Sequence, residues 1–142
     1  MNDIPNQAEH HVVSSMEEKW GRVTLDAGWT GVPNALLKYA GPLGLDPTET
    51  LVLIYLMRFW WKTEDLPYPS ITKTSEEMGV SRKTMTKKFA ALREKGYITP
   101  VKQGGRTKFN MDGLRKALVT EHRKQKEVQK AEKVDALDID LF

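Results

Sequence analysis

Residues Lys73 to Ile98 read KTSEEMGVSRKTMTKKFAALREKGYI. Just before them, Thr72 can open a short helix that runs to Met78, with Glu76 placed for its first turns, and Gly79 supplies a left-handed stop. Val80 carries the chain through the turn. Ser81 is placed to cap a second helix from Arg82 to Lys95, and Gly96 ends it. The spacing therefore predicts two helices joined by a very tight turn. In the second helix Met85, Phe89 and Leu92 fall on one face, which must be buried. The opposite face then presents Arg82, Lys83, Thr86 and Lys87, followed by Ala90 and Arg93. This surface is basic, rich in hydrogen-bonding groups and concentrated toward the helix N-terminus.

Downstream, Tyr97 to Val101 alternates as a strand does, Lys102 to Arg106 (KQGGR) forms a glycine-rich hairpin turn, and Thr107 to Met111 is the returning strand. Lys102, Arg106 and Lys108 flank this turn. An ordinary hairpin could carry the same cations merely to keep its edge soluble. Its position directly after the basic helix favours contact with a polyanion. A further helix starts at Asp112 with Leu114 and Leu118 as its apolar contacts and continues as a charged stretch through about Val134. Its apolar residues thin out after Val119. A solvent-exposed extension, a dimerising helix with a weak seam and a partly disordered segment all fit that pattern. His122 reads as a surface residue.

Upstream, Asp46-Pro47-Thr48-Glu49 marks a helix start: a side-chain oxygen for the open amides, a proline in the first turn and a glutamate at the positive dipole end. The helix is expected to reach about Lys62. Leu51, Val52, Ile54, Tyr55, Leu56, Phe59 and Trp60 make it apolar on most sides, so it should be the central core helix, its aromatic end packed inside rather than stacking on a ligand. A shorter helix is expected over Asn34 to Ala40, between Pro33 and Gly41-Pro42. Leu66 to Ile71, with two prolines, reads as a loop or short edge strand. Residues 1–19 read as a flexible polar tail, and Trp20 to Val32 as a short extended arm. The adjacent His10 and His11 lie in that tail without a third ligand type nearby, so no metal site is expected. The organisation read from the sequence is thus a tail (1–19), one domain with its arm (20–119) and a charged helical extension with an acidic end (120–142).

The chain has 142 residues, 39% of them apolar, which suits one core with tails. It contains no cysteine, so disulfides, thiolate zinc sites and cysteine nucleophiles are excluded, and a reducing compartment fits. The longest apolar run, Leu51 to Met57, is far short of the roughly 20 residues that cross a bilayer. A soluble cytoplasmic protein is expected. The net charge of +3 is unevenly spread: from Thr72 to Lys108 ten cations face three acids, a surplus of seven, which leaves the remainder at −4. Positive charge confined to one stretch is what a polyanion-binding face requires. No Gly-rich phosphate loop, paired-histidine helix motif or nucleophile–base pattern occurs, so neither an enzyme nor a cofactor is expected.

Gly79-Val80-Ser81 in the turn, Thr84-Met85 in the second helix, Phe89 and Leu92 behind it, and Gly96-Tyr97-Ile98 leading into the hairpin resemble winged helix-turn-helix DNA-binding proteins. The run Gly28 to Leu37 (GWTGVPNALL), followed by Leu45 to Glu49 (LDPTE), is similar to helix-turn-helix proteins of the plasmid and phage replication-initiator type. The resemblance implies a mainly α, α+β fold and binding of double-stranded DNA. Lys73, Ser81, Arg82, Lys83, Thr84, Thr86 and Lys87 would serve the helix in the major groove, with Lys102, Arg106 and Lys108 on the wing. Replication initiation or maintenance leads among the roles implied. Transcription regulation by the same fold is the alternative, and a homodimer would suit either. The last five residues, Asp138 to Phe142 (DIDLF), resemble the peptide by which bacterial replication and repair proteins bind the polymerase sliding clamp, with Ile139, Leu141 and Phe142 entering an apolar pocket. The family pattern starts with glutamine where this chain has Asp138, and an acidic tail without a partner is the competing reading. An adaptor that docks through that tail is the alternative from another functional class.

Overall fold

A computed structural model describes residues 7–140, with side chains described over 11–137. It divides into two compact units, 1–30 and 31–142. In the first, α1 (Gln7–Leu25) occupies the region where the sequence suggested a polar tail and an extended arm. It is two helical segments joined at Gly21, whose φ of 75° and ψ of 163° interrupt the helix. Glu17, Glu18 and Lys19 are good helix formers and favour a helix where a tail was expected, while of the expected arm only residues 20–25 join it and residues 26–32 form no regular element.

The second unit contains α2 (Asn34–Tyr39), α3 (Pro47–Met57), α4 (Ile71–Met78), α5 (Arg82–Glu94), β1 (Thr99–Gln103), β2 (Arg106–Asn110) and α6 (Asp112–Asp140). This is a mainly helical, winged-helix-like α+β arrangement. The two strands pair antiparallel, with Thr99 opposite Asn110 and Gln103 opposite Arg106. Only Gly104 and Gly105 lie between them, with φ of 60° and 73°. A two-residue hairpin of this kind needs positive φ at both central positions, which glycine adopts without penalty. Lys102 and Arg106 therefore stand in the strands, and Tyr97 precedes β1 instead of opening it.

The core gathers Leu36 and Tyr39 from α2, Leu45, Val52, Leu53 and Leu56 around α3, Met85, Phe89 and Leu92 from α5, and Ile98, Met111, Leu114 and Leu118. The face expected to be buried on α5 is buried. On α3 the burial is one-sided: Leu51 is exposed, and the helix ends at Met57, five residues earlier than the apolar run suggested. Phe59 and Trp61 consequently lie beyond the helix and are exposed, and only Trp60 of that aromatic end packs against the core. The periodicity marked the apolar run but not the turn at Arg58, where its amide bonds back to Ile54 and Leu56.

α3 begins with a complete capping box. The Glu49 amide donates to Asp46 Oδ1 at 2.7 Å and the Asp46 amide donates to Glu49 Oε1 at 3.0 Å. The two carboxylates have second partners on α5 and just beyond it. Lys88 Nζ donates to Asp46 Oδ2 at 2.5 Å, and Lys95 Nζ to Glu49 Oε2 at 2.5 Å and to the Gly44 carbonyl at 2.7 Å. Burial works to raise the Asp46 carboxyl, but hydrogen bonds from Lys88 and the Glu49 amide hold it below its ordinary value. The bond to Asp46 in turn raises Lys88. α6 closes the unit from the other side. A Cβ on Gly113 would lie 1.9 Å from the Gly96 carbonyl oxygen, so the start of α6 touches the backbone that follows α5.

Two stability predictions follow from these contacts. The Glu49 side chain is 5% exposed and the Asp46 side chain 40%. Lys95→Met should therefore cost about 2–4 kcal/mol in urea unfolding, because it leaves a buried carboxylate without its cation, whereas Lys88→Met should cost clearly less, its pair being screened by solvent. The Lys88 contribution should be flat between about pH 5 and pH 9. It should fade as acid protonates Asp46 below its ordinary range and as base deprotonates Lys88 above its own. Gly113→Ala should destabilise by about 3 kcal/mol or more, since backbone has to move to admit the methyl group. Thermal melts showing Lys95→Met or Gly113→Ala equal to the parent, or Lys88→Met as damaging as Lys95→Met, would contradict the corresponding contact.

Candidate nucleic-acid interface

The turn between α4 and α5 is built as its residues suggest. Gly79 adopts φ 68° and caps α4, and its neighbour Val80 bonds back to the Ser75 carbonyl at 3.0 Å. The opening of α4 differs from the expected one. Ser70, not Thr72, is the cap, accepting from the Lys73 amide at 3.2 Å, and Ile71 is the first helical residue. Ser70 is the residue with extended backbone (φ −82°, ψ 127°), which places its hydroxyl over the open amides. Thr74 and Ser75 are buried on the inner face, their hydroxyls donating to the Ser70 and Thr72 carbonyls.

Ser81 caps α5, accepting from the Thr84 amide at 3.1 Å and donating to Thr84 Oγ1 at 3.0 Å. Thr86 donates to the Arg82 carbonyl at 2.9 Å. These three hydroxyls thus already serve the helix, though each oxygen keeps accepting capacity. Arg82, Lys83 and Lys87 are exposed, and none of them makes an ion pair among the described residues. The first turn of α5 contains no acidic residue. Its open amides and three cations share one end of the helix, so the local field is positive.

The basic stretch is not uniform once folded. Lys88 and Lys95, two of its ten cations, are spent on Asp46 and Glu49. Because those carboxylates lie outside the counted stretch, the surplus of seven overstates the outward charge. On the hairpin, Lys102 Nζ donates to Thr107 Oγ1 at 2.7 Å. Arg106 and Lys108 lie over the Tyr68 ring, their cationic ends 4.7 and 5.5 Å from its centroid. Lys73 lines the same cleft as Tyr68. The ten residues expected from the sequence therefore form two groups: Ser81, Arg82, Lys83, Thr84, Thr86 and Lys87 around the start of α5, and Lys73, Arg106 and Lys108 around Tyr68, with Lys102 on the neighbouring strand. Tyr68 was missed, since a tyrosine between two prolines reads only as loop.

His122 is exposed as expected, yet its Nδ1 hydrogen-bonds with Tyr39 Oη at 2.8 Å, tying α6 to α2. Leu141 and Phe142 lie outside the described residues, as does the side chain of Ile139, whose backbone belongs to the end of α6. Among the described residues no helix is long and apolar enough to cross a membrane.

A tight helix–turn–helix with a buried inner face, a cationic outer face and a β-hairpin after it is the geometry of a DNA-binding domain. In agreement, a family model described as a helix-turn-helix domain matches residues 43–98, which span α3, α4, α5 and the approach to β1. The match supports a helix-turn-helix DNA-binding protein. No curated protein matches the chain at a significant level.

The division of the cations predicts a separation of effects. Lys95→Met should lower the melting temperature by several degrees, whereas Lys87→Ala should change the unfolding free energy by no more than about 0.5 kcal/mol. A melt in which Lys87→Ala is the more damaging of the two would contradict this assignment of inner and outer cations.

Proposed function

We propose that the protein binds double-stranded DNA in a sequence-directed manner, with the start of α5 in the major groove and the hairpin on the adjoining backbone. The observation that carries this reading is the set Arg82, Lys83 and Lys87, exposed and without ion-pair partners among the described residues, on the first half of a helix whose opposite face is locked into the core. Arg82 and Lys83 are assigned to base edges, and Thr84, Thr86 and Lys87 to base edges or phosphates beside them. Arg106 and Lys102 are assigned to phosphates.

The biological setting we propose is replication initiation or maintenance of a plasmid or phage. Its support is the resemblance of residues 28–37 and 45–49 to initiator-type proteins, together with the clamp-like residues Ile139, Leu141 and Phe142 at the end of the chain. In that role DNA is bound by a monomer or a homodimer, and the end of the chain recruits the sliding clamp. Transcription regulation uses the same interface and is separated by outcome: a selected site whose occupancy sets plasmid copy number supports the first role, and one that changes a transcript alone supports the second.

Anisotropy titration of labelled random duplex at two salt concentrations should show affinity falling steeply as salt rises, because each neutralised phosphate releases a counterion. On the selected site, Arg82→Ala or Lys83→Ala should cost about 1–3 kcal/mol and relax the preference at one base pair. Arg106→Ala should weaken all duplexes alike and reduce the salt slope by about one. Unchanged affinity in all three variants would remove this face from the function.

A further inference from the structure

Beside the helix-turn-helix lies a cleft of about 350 Å³ that duplex binding by α5 does not use. Its walls include Tyr55, Phe59, Trp61, Tyr68 and Lys73. This volume is near the lower end for small-ligand sites. The rings are not folded away: Trp61 is 72% exposed and Tyr68 52%. Exposed aromatic residues gathered around one cavity in a small domain mark a contact surface.

Two features show what chemistry suits it. The first is charge. Lys73 lines the cleft, and Arg106 and Lys108 rest on the Tyr68 ring. Glu77 is the neighbouring acid, and its carboxylate already accepts from Tyr55 Oη and from Arg58 Nη1, the latter at 2.8 Å. Glu77 pairs with Arg58, and Lys73, Arg106 and Lys108 stand around the rings. The second feature is rigidity. Tyr68 sits between Pro67 and Pro69, Pro67 is fully buried, and its carbonyl accepts from the Phe109 amide at 2.9 Å, which fastens the loop to β2. The Tyr68 side of the cleft is therefore formed before a ligand arrives, which lowers the ordering entropy lost there on binding.

Aromatic faces for bases and cations for phosphates are the two elements of single-strand recognition. A base inside a duplex has both faces covered by its neighbours and cannot stack on Trp61, whereas an unpaired base can. We propose that this cleft binds single-stranded DNA, an unpaired base stacking on Trp61 while Lys73 and the Arg106 and Lys108 cations held at Tyr68 take the adjoining phosphates. The choice of DNA over RNA rests on the function proposed above. The protein then has two nucleic-acid surfaces: α5 for the duplex, and the aromatic cleft for a strand separated from it. Arg106 and Lys108, on the hairpin, serve the second surface as well as the first.

The test is anisotropy with the full chain, a labelled oligothymidylate and a labelled duplex, at low salt. The parent should bind the oligothymidylate. Trp61→Ala should weaken that binding on the order of 5- to 150-fold and leave duplex affinity unchanged, while Trp61→Phe should restore most of the loss. Arg82→Ala should show the converse selectivity. Because Trp61 is largely exposed, its removal leaves the core intact, and an unchanged melting temperature verifies this. Failure of the parent to bind the oligothymidylate, or equal binding by Trp61→Ala, would overturn the proposal. So would thymidine monophosphate competing as strongly as the oligomer, which would make the cleft a free-nucleotide site, or Trp61-dependent self-association that the oligomer does not displace. Single-strand binding without duplex binding would overturn the duplex reading and leave this one standing.

Discussion

The pair of carboxylates that starts α3 holds the helix-turn-helix in place. Asp46 and Glu49 close a capping box and thereby set where α3 begins, and each then takes a lysine from α5 or the residue that follows it. A cap is ordinarily a local device worth about 1 kcal/mol. Here it is also a tertiary one, since the groups that end the backbone of one helix fix the roll and position of another. Met85, Phe89 and Leu92 supply the close-packed apolar part of the same contact, and the two lysines add charge pairing beside it. The direction in which Arg82, Lys83 and Lys87 project follows from that constraint.

The hairpin is held by the same core from its other end. Ile98 and Met111 are buried beside it, Phe109 packs on Phe89 with ring centroids 5.5 Å apart, and Gly113 allows α6 to start against the Gly96 carbonyl. β2 also bonds to the proline loop through Phe109 and Pro67, which brings Tyr68 under Arg106 and Lys108. Cations of a single basic stretch are thus sorted into three environments. Some pair inward with α3, some stand exposed at the start of α5, and some lie on an aromatic ring.

Much of the helix-turn-helix was legible because its signals are local. Gly79 needs a left-handed backbone, Ser81 offers a capping oxygen, and Met85, Phe89 and Leu92 repeat at the helical period; each statement involves residues within about two turns of one another. Local reasoning failed where two competing signals lay side by side. Both Ser70 and Thr72 could cap α4, and the extended backbone after Pro69 decides for Ser70. Phe59 to Trp61 follow the apolar run Leu51–Met57 after a single arginine and suggest that the helix goes on, but α3 turns at Arg58, so Phe59 and Trp61 leave the core for the cleft. The α1 helix was missed because its exposed, mostly polar residues lack the apolar stripe by which a helix is recognised.

The residues alone determined the tight turn, the buried and exposed faces of α5, the hairpin after it and the positive charge along this stretch. Capping, helical period and charge are properties of neighbours in the chain. Only the tertiary structure decided which cations remain available. Lys87 and Lys88 are adjacent and chemically identical, and they differ because Asp46, 42 positions before Lys88, meets one and not the other. It likewise decided that Tyr55, Phe59, Trp61, Tyr68 and Lys73 surround one cleft. An ion pair or a cleft depends on which distant residues the folded backbone brings together, and no spacing along the chain encodes that directly.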